Sequence, residues 1–139
     1  MKTIILFFLI LFSTYSKADT IAHWTVYLNG KKLKTFNTLN NNISFKASQL
    51  KLGDKLSIQY FDDTKCENCT YELLIRNGYK GELVSKKFKN ETELVELDLT
   101  EVIKDDLGFK PRKFFVFLSE FRKGKLINYG LKLFTFTIN

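Results

Sequence analysis

Trp24-Thr25-Val26-Tyr27-Leu28 is followed by Asn29-Gly30 and then by Lys31-Lys32-Leu33-Lys34-Thr35-Phe36. In an extended chain Trp24, Val26 and Leu28 fall on one side. Asn and Gly tolerate the positive φ that a two-residue hairpin connection needs at both positions. The stretch therefore predicts a β-hairpin whose return strand runs over residues 31–36. The pattern repeats outward from it. Ile43 to Ala47 reads as a short strand after a loop at Asn40-Asn41-Asn42, and Leu56, Ile58 and Tyr60 alternate with Ser57 and Gln59 after Gly53-Asp54. Tyr71, Leu73 and Ile75 mark a further strand ended by Asn77-Gly78, and Glu82 to Phe88 another, while Val95, Leu97 and Leu99 alternate with Glu96 and Asp98. Short strands at this spacing predict an all-β, antiparallel β-sandwich of about seven to nine strands. An immunoglobulin-like sandwich is the first expectation, and a jelly roll or small barrel the second.

Three segments refine that picture. Thr100 to Leu107 predicts one short helical turn, with Thr100 as its cap, Glu101 in its first turn and Gly108 after its end. Phe114-Phe115-Val116-Phe117-Leu118 is apolar at every position, the pattern of a central strand covered on both faces. The last segment changes phase: Leu131 and Leu133 are odd positions, whereas Phe134, Phe136 and Ile138 are even. One flat strand cannot bury both sets on one face. A bulge near Leu133, or a bend serving two sheets, reconciles them.

The chain opens with Met1-Lys2, an apolar run from Ile4 to Phe12, and a polar stretch in which Ser16 and Ala18 are small. This is the pattern of a cleavable signal peptide over residues 1–18. The run is too short to span a bilayer, which takes roughly 20 residues. The expectation is a secreted or periplasmic domain over residues 19–139, with no transmembrane segment left after cleavage. Loss of Lys2 and Lys17 lowers the formal charge from +7 to +5. That excess favours solubility and weak attraction to anions, and says nothing of fold.

Export colours the reading of Cys66-Glu67-Asn68-Cys69. In an oxidising compartment two close cysteines usually close a disulfide. Thioredoxin-type chemistry places its first Cys at a helix N-terminus, and here Thr70 to Arg76 reads as a strand. A zinc site takes four ligands, whereas the chain offers two Cys and a single His, His23. The turn at Gly53-Asp54 before an alternating strand resembles the cupredoxins. Blue copper takes two His and a Cys, usually with a Met, and the chain has one His and only the leader's Met1. That set excludes the site. One histidine also leaves little for Ser-His-Asp or Cys-His catalysis. Asp62-Asp63 with Glu67, and Asp105-Asp106, match no calcium-loop spacing.

Basic residues cluster as Lys31-Lys32 with Lys34, Lys86-Lys87 with Lys89, Lys110 with Arg112-Lys113, and Arg122-Lys123 with Lys125. Lysines blunt strand edges against aggregation; they also make a surface for an anionic partner. The candidate surface is Lys31, Lys32, Lys86, Lys87, Arg112, Lys113, Arg122 and Lys123. Export argues against nucleic acid and for an envelope or extracellular protein or an anionic glycan. The expected function is a non-enzymatic binding or structural module without a cofactor. The alternative is a thiol-redox or metal-handling protein using Cys66 and Cys69.

Overall fold

The computed structural model describes residues 22–62, 66–78, 81–89, 92–105 and 111–139. The expected signal peptide, Asp63, Asp106 and Lys110 lie outside them. Nine strands form among the described residues: β1 (His23–Leu28), β2 (Lys31–Phe36), β3 (Asn41–Phe45), β4 (Lys55–Phe61), β5 (Cys69–Asn77), β6 (Gly81–Phe88), β7 (Leu94–Asp98), β8 (Arg112–Arg122) and β9 (Lys125–Ile138). A short helix, α1 (Thr100–Lys104), joins β7 towards β8. The strands make a four-stranded sheet, β2-β1-β4-β7, and a five-stranded sheet, β3-β9-β8-β5-β6. Every neighbouring pair is antiparallel except β3 with β9, which is parallel. The two open sheets pack as an all-β sandwich and form no closed barrel. No helix among the described residues is long and apolar enough to cross a membrane.

The opening hairpin forms as its sequence predicts. Asn29 and Gly30 take φ of 50° and 78°, and Leu28 pairs with Lys31. From the four-stranded sheet Val26, Leu56, Ile58, Val95 and Leu97 point into the core; from the other sheet come Leu73, Ile75, Phe114, Val116, Phe134, Phe136 and Ile138. Ring contacts run between the layers and along the five-stranded one. Phe36 stacks on Phe134 across the sandwich at 5.8 Å, and Phe136 meets both Phe114 at 5.1 Å and Phe45 at 5.9 Å.

The phase change in the last strand is a bulge at Leu133. Val116 pairs with Phe134 and Phe117 with Lys132, so Leu133 is the extra residue. Leu133 and Phe134 are both fully buried. The extra residue lets two successive side chains enter the core, as a bulge does.

Two local expectations are corrected. β3 begins at Asn41 and ends at Phe45, and Ala47–Gln49 is a 3-10 turn. Asn41 and Asn42 are drawn out of the expected loop by their ladder to Phe134 and Thr135, a tertiary pairing that outweighs local turn preference. Thr100 starts α1 but does not cap it. The Asp98 carboxylate accepts the Thr100 N–H at 2.7 Å, and the Thr100 hydroxyl accepts the Gly53 N–H at 3.1 Å. Leu99 N–H donates to Asp54 O at 2.9 Å, fastening the turn before β4 to the helix start. At the other end of α1, the Asn77 amide donates to the buried Asp105 carboxylate, and Arg112 Nη1 donates to Ile103 O at 2.9 Å.

Hydrogen bonds from the Thr100 hydroxyl and then the Thr100 amide hold the Asp98 carboxyl below its ordinary value of 3.8. A folded-state pKa lowered in this way adds stability above the unfolded value, lost as pH falls through the folded one. Asp98→Asn is therefore expected to lower Tm at neutral pH and to flatten the acid dependence of Tm below about 3.8. Thermal melts from neutral into acid solution check this; an unaltered acid slope contradicts it.

Candidate functional site

Three arrangements of side chains carry chemistry. The first sits at one end of the sandwich, where β5 begins and β8 ends. The Cys66 and Cys69 sulfurs are at disulfide distance, with Cα atoms 5.6 Å apart. The residues after Cys69 form β5 and not a helix, which removes the helix N-terminus that a thioredoxin-type cysteine uses. In the ladder Cys69 faces Arg122, and Tyr71 faces Glu120. Tyr71 is buried, so Glu120 and Arg122 continue the core-facing side of β8 to its rim. Glu120 Oε1 lies 3.4 Å from Cys69 Sγ, and Arg122 Nη2 lies 3.3 Å from Cys66 Sγ. Ligand atoms of Cys66, Cys69 and Glu120 all fall within 4.8 Å of one another, the one such group of three among the described residues. Glu120 was not among the candidate ligands. Its signal was its phase: Phe114, Val116 and Leu118 set the inward side of β8, and an acid two positions on extends it.

The second arrangement is the scatter of the basic residues. Lys31 and Lys32 follow the β1–β2 turn. Asn29 Nδ2 donates to Asp54 Oδ1 at 3.0 Å, and Asp54 is bonded to Leu99. Arg112, bonded to Ile103, starts β8 near the same end. Lys31 and Lys32 therefore share an end with Arg112 and Lys113, on the opposite sheet. Arg122 and Lys123 lie at the other end with the cysteines, where Lys123 N–H donates to Asn68 O at 3.4 Å. Lys86 and Lys87 lie on the edge strand β6, with Lys87 across from Glu72. The eight residues form no single surface.

The third arrangement was not expected. Phe115, Phe117 and Phe121 alternate with the inward residues of β8 and are half-buried on the solvent side of the five-stranded sheet. β8 is central within its sheet, yet its outer face is not buried. The expectation of cover on both faces fails because central position in a sheet does not supply a second layer. Phe115 and Phe117 rings are 6.4 Å apart. Lys113 Nζ sits 5.6 Å over Phe115, and Lys87 Nζ 5.6 Å over Phe121. Phe115 and Phe117, with Arg76, Asn77, Gly78 and Gly81, line a shallow depression of about 300 Å³. Glu72 and Glu82 stand across the ladder from Lys87 and Arg76. Lys113, and Lys132 opposite Phe117, are the excess charge beside the rings.

Two further features have structural explanations. His23 stacks on Phe61, its ladder partner, at 4.7 Å. Leu126, Ile127 and Tyr129 are exposed on the free edge of β9. Two register shifts in the pairing there and Gly130 at φ 64° make that edge irregular, which blunts it as a template for another strand.

No protein-family model matches this chain, and no curated protein matches it in sequence.

Proposed function

We propose that the protein is an exported, non-enzymatic binding module on an immunoglobulin-like sandwich, and that an acidic ligand docks on the outer face of its five-stranded sheet. The observation that carries this reading is the row of half-buried Phe rings with lysine ammonium groups over them. Apolar surface left open on a folded domain marks interaction sites. An ammonium group over a ring is held there by cation–π attraction and offers its solvent side to an anion. The immunoglobulin-like reading is supported by successive crossings between sheets, β4 to β5 and β7 to β8, and by antiparallel packing of β9-β8-β5 against β1-β4-β7. Export is supported by the leader-like pattern of residues 1–18.

The test is salt elution of residues 19–139 from an immobilised sulfated polysaccharide and, separately, from immobilised poly-glutamate. The double variant Phe115→Ser/Phe117→Ser keeps the net charge. It is expected to bind roughly tenfold more weakly, with Lys113→Gln/Lys132→Gln at least as weak. Co-elution of the serine variant with the parent on both matrices shows that net charge alone acts, and removes the reading.

A second reading, metal handling by Cys66 and Cys69, is favoured by Glu120 beside the sulfurs. Two thiolates, a carboxylate and a water would complete a tetrahedral zinc site after reduction. The Arg122 guanidinium at 3.3 Å from Cys66 Sγ opposes it, because a second cation there repels the metal. A disulfide is the expected state. Protein purified without reductant is expected to show no alkylation of either Cys. Quantitative alkylation, with bound zinc that Glu120→Gln abolishes, favours the metal reading instead.

A further inference from the structure

The edge strands β2 and β3 belong to different sheets and leave a cleft of about 420 Å³ between them. Leu28, Leu33, Ile43 and Phe45 supply its apolar lining, and Lys31 and Lys34 its cations; none of its lining residues is acidic. The two lysines share the cleft because β2 is bulged. Val26 pairs with Lys34 and Tyr27 with Lys32, so Leu33 is the extra residue. In a regular strand residues three apart point to opposite faces. The bulge brings Lys31, opposite Leu28, and Lys34, opposite the fully buried Val26, onto the same inward side. Lys34 Nζ lies 5.2 Å over the Phe36 ring, and neither lysine is in an ion pair among the described residues.

A single inward lysine already blunts an edge strand. Two, set by a bulge over an apolar floor without a counter-charge, make a site. We propose that this cleft binds a free anionic amphiphile, with its alkyl chain along Leu28, Leu33, Ile43 and Phe45 and its carboxylate or phosphate at Lys31 and Lys34. The volume lies in the range of about 300–1,000 Å³ usual for small-molecule sites. The recess between two sheet edges suits a single chain in monomeric form better than a bilayer surface. None of these residues belongs to the aromatic face of β8, so the two proposals stand or fall separately.

Amide-resolved NMR titration of residues 19–139 with dodecanoate, below its micelle concentration, is the test. Dodecanol and dodecyltrimethylammonium are the comparison ligands, and anionic phospholipid vesicles a separate arm. The expected result is saturable one-site binding that moves the amides of Leu28, Leu33 and Ile43. Dodecanol and the cationic analogue bind roughly tenfold or more weakly, and Lys31→Gln/Lys34→Gln reduces dodecanoate to the level of dodecanol. Both lysines are exposed, so the variant is expected to fold, and its amide dispersion verifies this. Phe115→Ser/Phe117→Ser leaves dodecanoate binding unchanged. The proposal is overturned by absence of saturable binding, by equal binding of the cationic analogue, by indifference to the lysine variant, or by binding to vesicles without binding to the monomer.

Discussion

Phe136→Ala is expected to destabilise the domain by about 3–5 kcal/mol. Phe136 is fully buried and stands where three strands meet: on β9 itself, against Phe114 of β8 and against Phe45 of β3. Truncation removes the ring, leaves a cavity with two aromatic walls, and loosens β3, whose ladder runs only to β9. A domain of this size is stable by about 5–15 kcal/mol in total, so the variant stands near the limit of folding. Equilibrium denaturant unfolding followed by the buried Trp24 measures the loss. Phe117→Ala removes a ring of the same size from the outer face, where it is only half-buried. It is expected to cost less than half as much. Equal costs for the two would contradict the assignment of inner and outer faces on β8 and β9.

Deletions in β9 test the bulge. Removing Leu133 leaves Phe134 opposite Val116 and Lys132 opposite Phe117, the pairings already present on either side of the extra residue. The ladder becomes regular, and the cost is that of one buried leucine, about 2–5 kcal/mol. Removing Thr135, two residues on, makes Phe134 and Phe136 neighbours in an unbulged stretch. One of them must leave the core, because a one-residue slip reverses the face of every side chain beyond it. That deletion is expected to abolish cooperative folding. Amide dispersion and a denaturant transition distinguish the two variants. Similar behaviour of both contradicts the bulge at Leu133.

The bulge is legible in the sequence because its two apolar sets, Leu131 with Leu133 and Phe134 with Phe136 and Ile138, disagree in parity within one strand. The opening hairpin was legible because Asn29-Gly30 has few other uses. Local chemistry decided both. What local chemistry does not contain is long-range pairing. Asn41 and Asn42 read as loop until Phe134 and Thr135 offer them a ladder, and Glu120 becomes a neighbour of Cys69 only through the β5–β8 register. The same limit explains Phe115 and Phe117. Their sequence shows that β8 is apolar on both sides, but only the arrangement of layers shows that one side meets solvent. The basic residues fall in sequence clusters at turns and strand ends, and the strand directions, which no cluster contains, place those clusters at two ends and an edge. The opposite happened at β2, where a bulge within a lysine-rich strand placed Lys31 and Lys34 on one cleft.

The proposed docking face is the outer face of the five-stranded sheet. A photoreactive residue placed at Phe117, in protein returned to an extract of its own cells and irradiated, tests it most directly. Tyr27 is the matched control: an aromatic residue that is also half-buried, on the outer side of the four-stranded sheet. A discrete adduct is expected at position 117 that is absent at position 27 and lost when Lys113 and Lys132 are replaced by Gln. No adduct at position 117, or the same adducts from both positions, would contradict it.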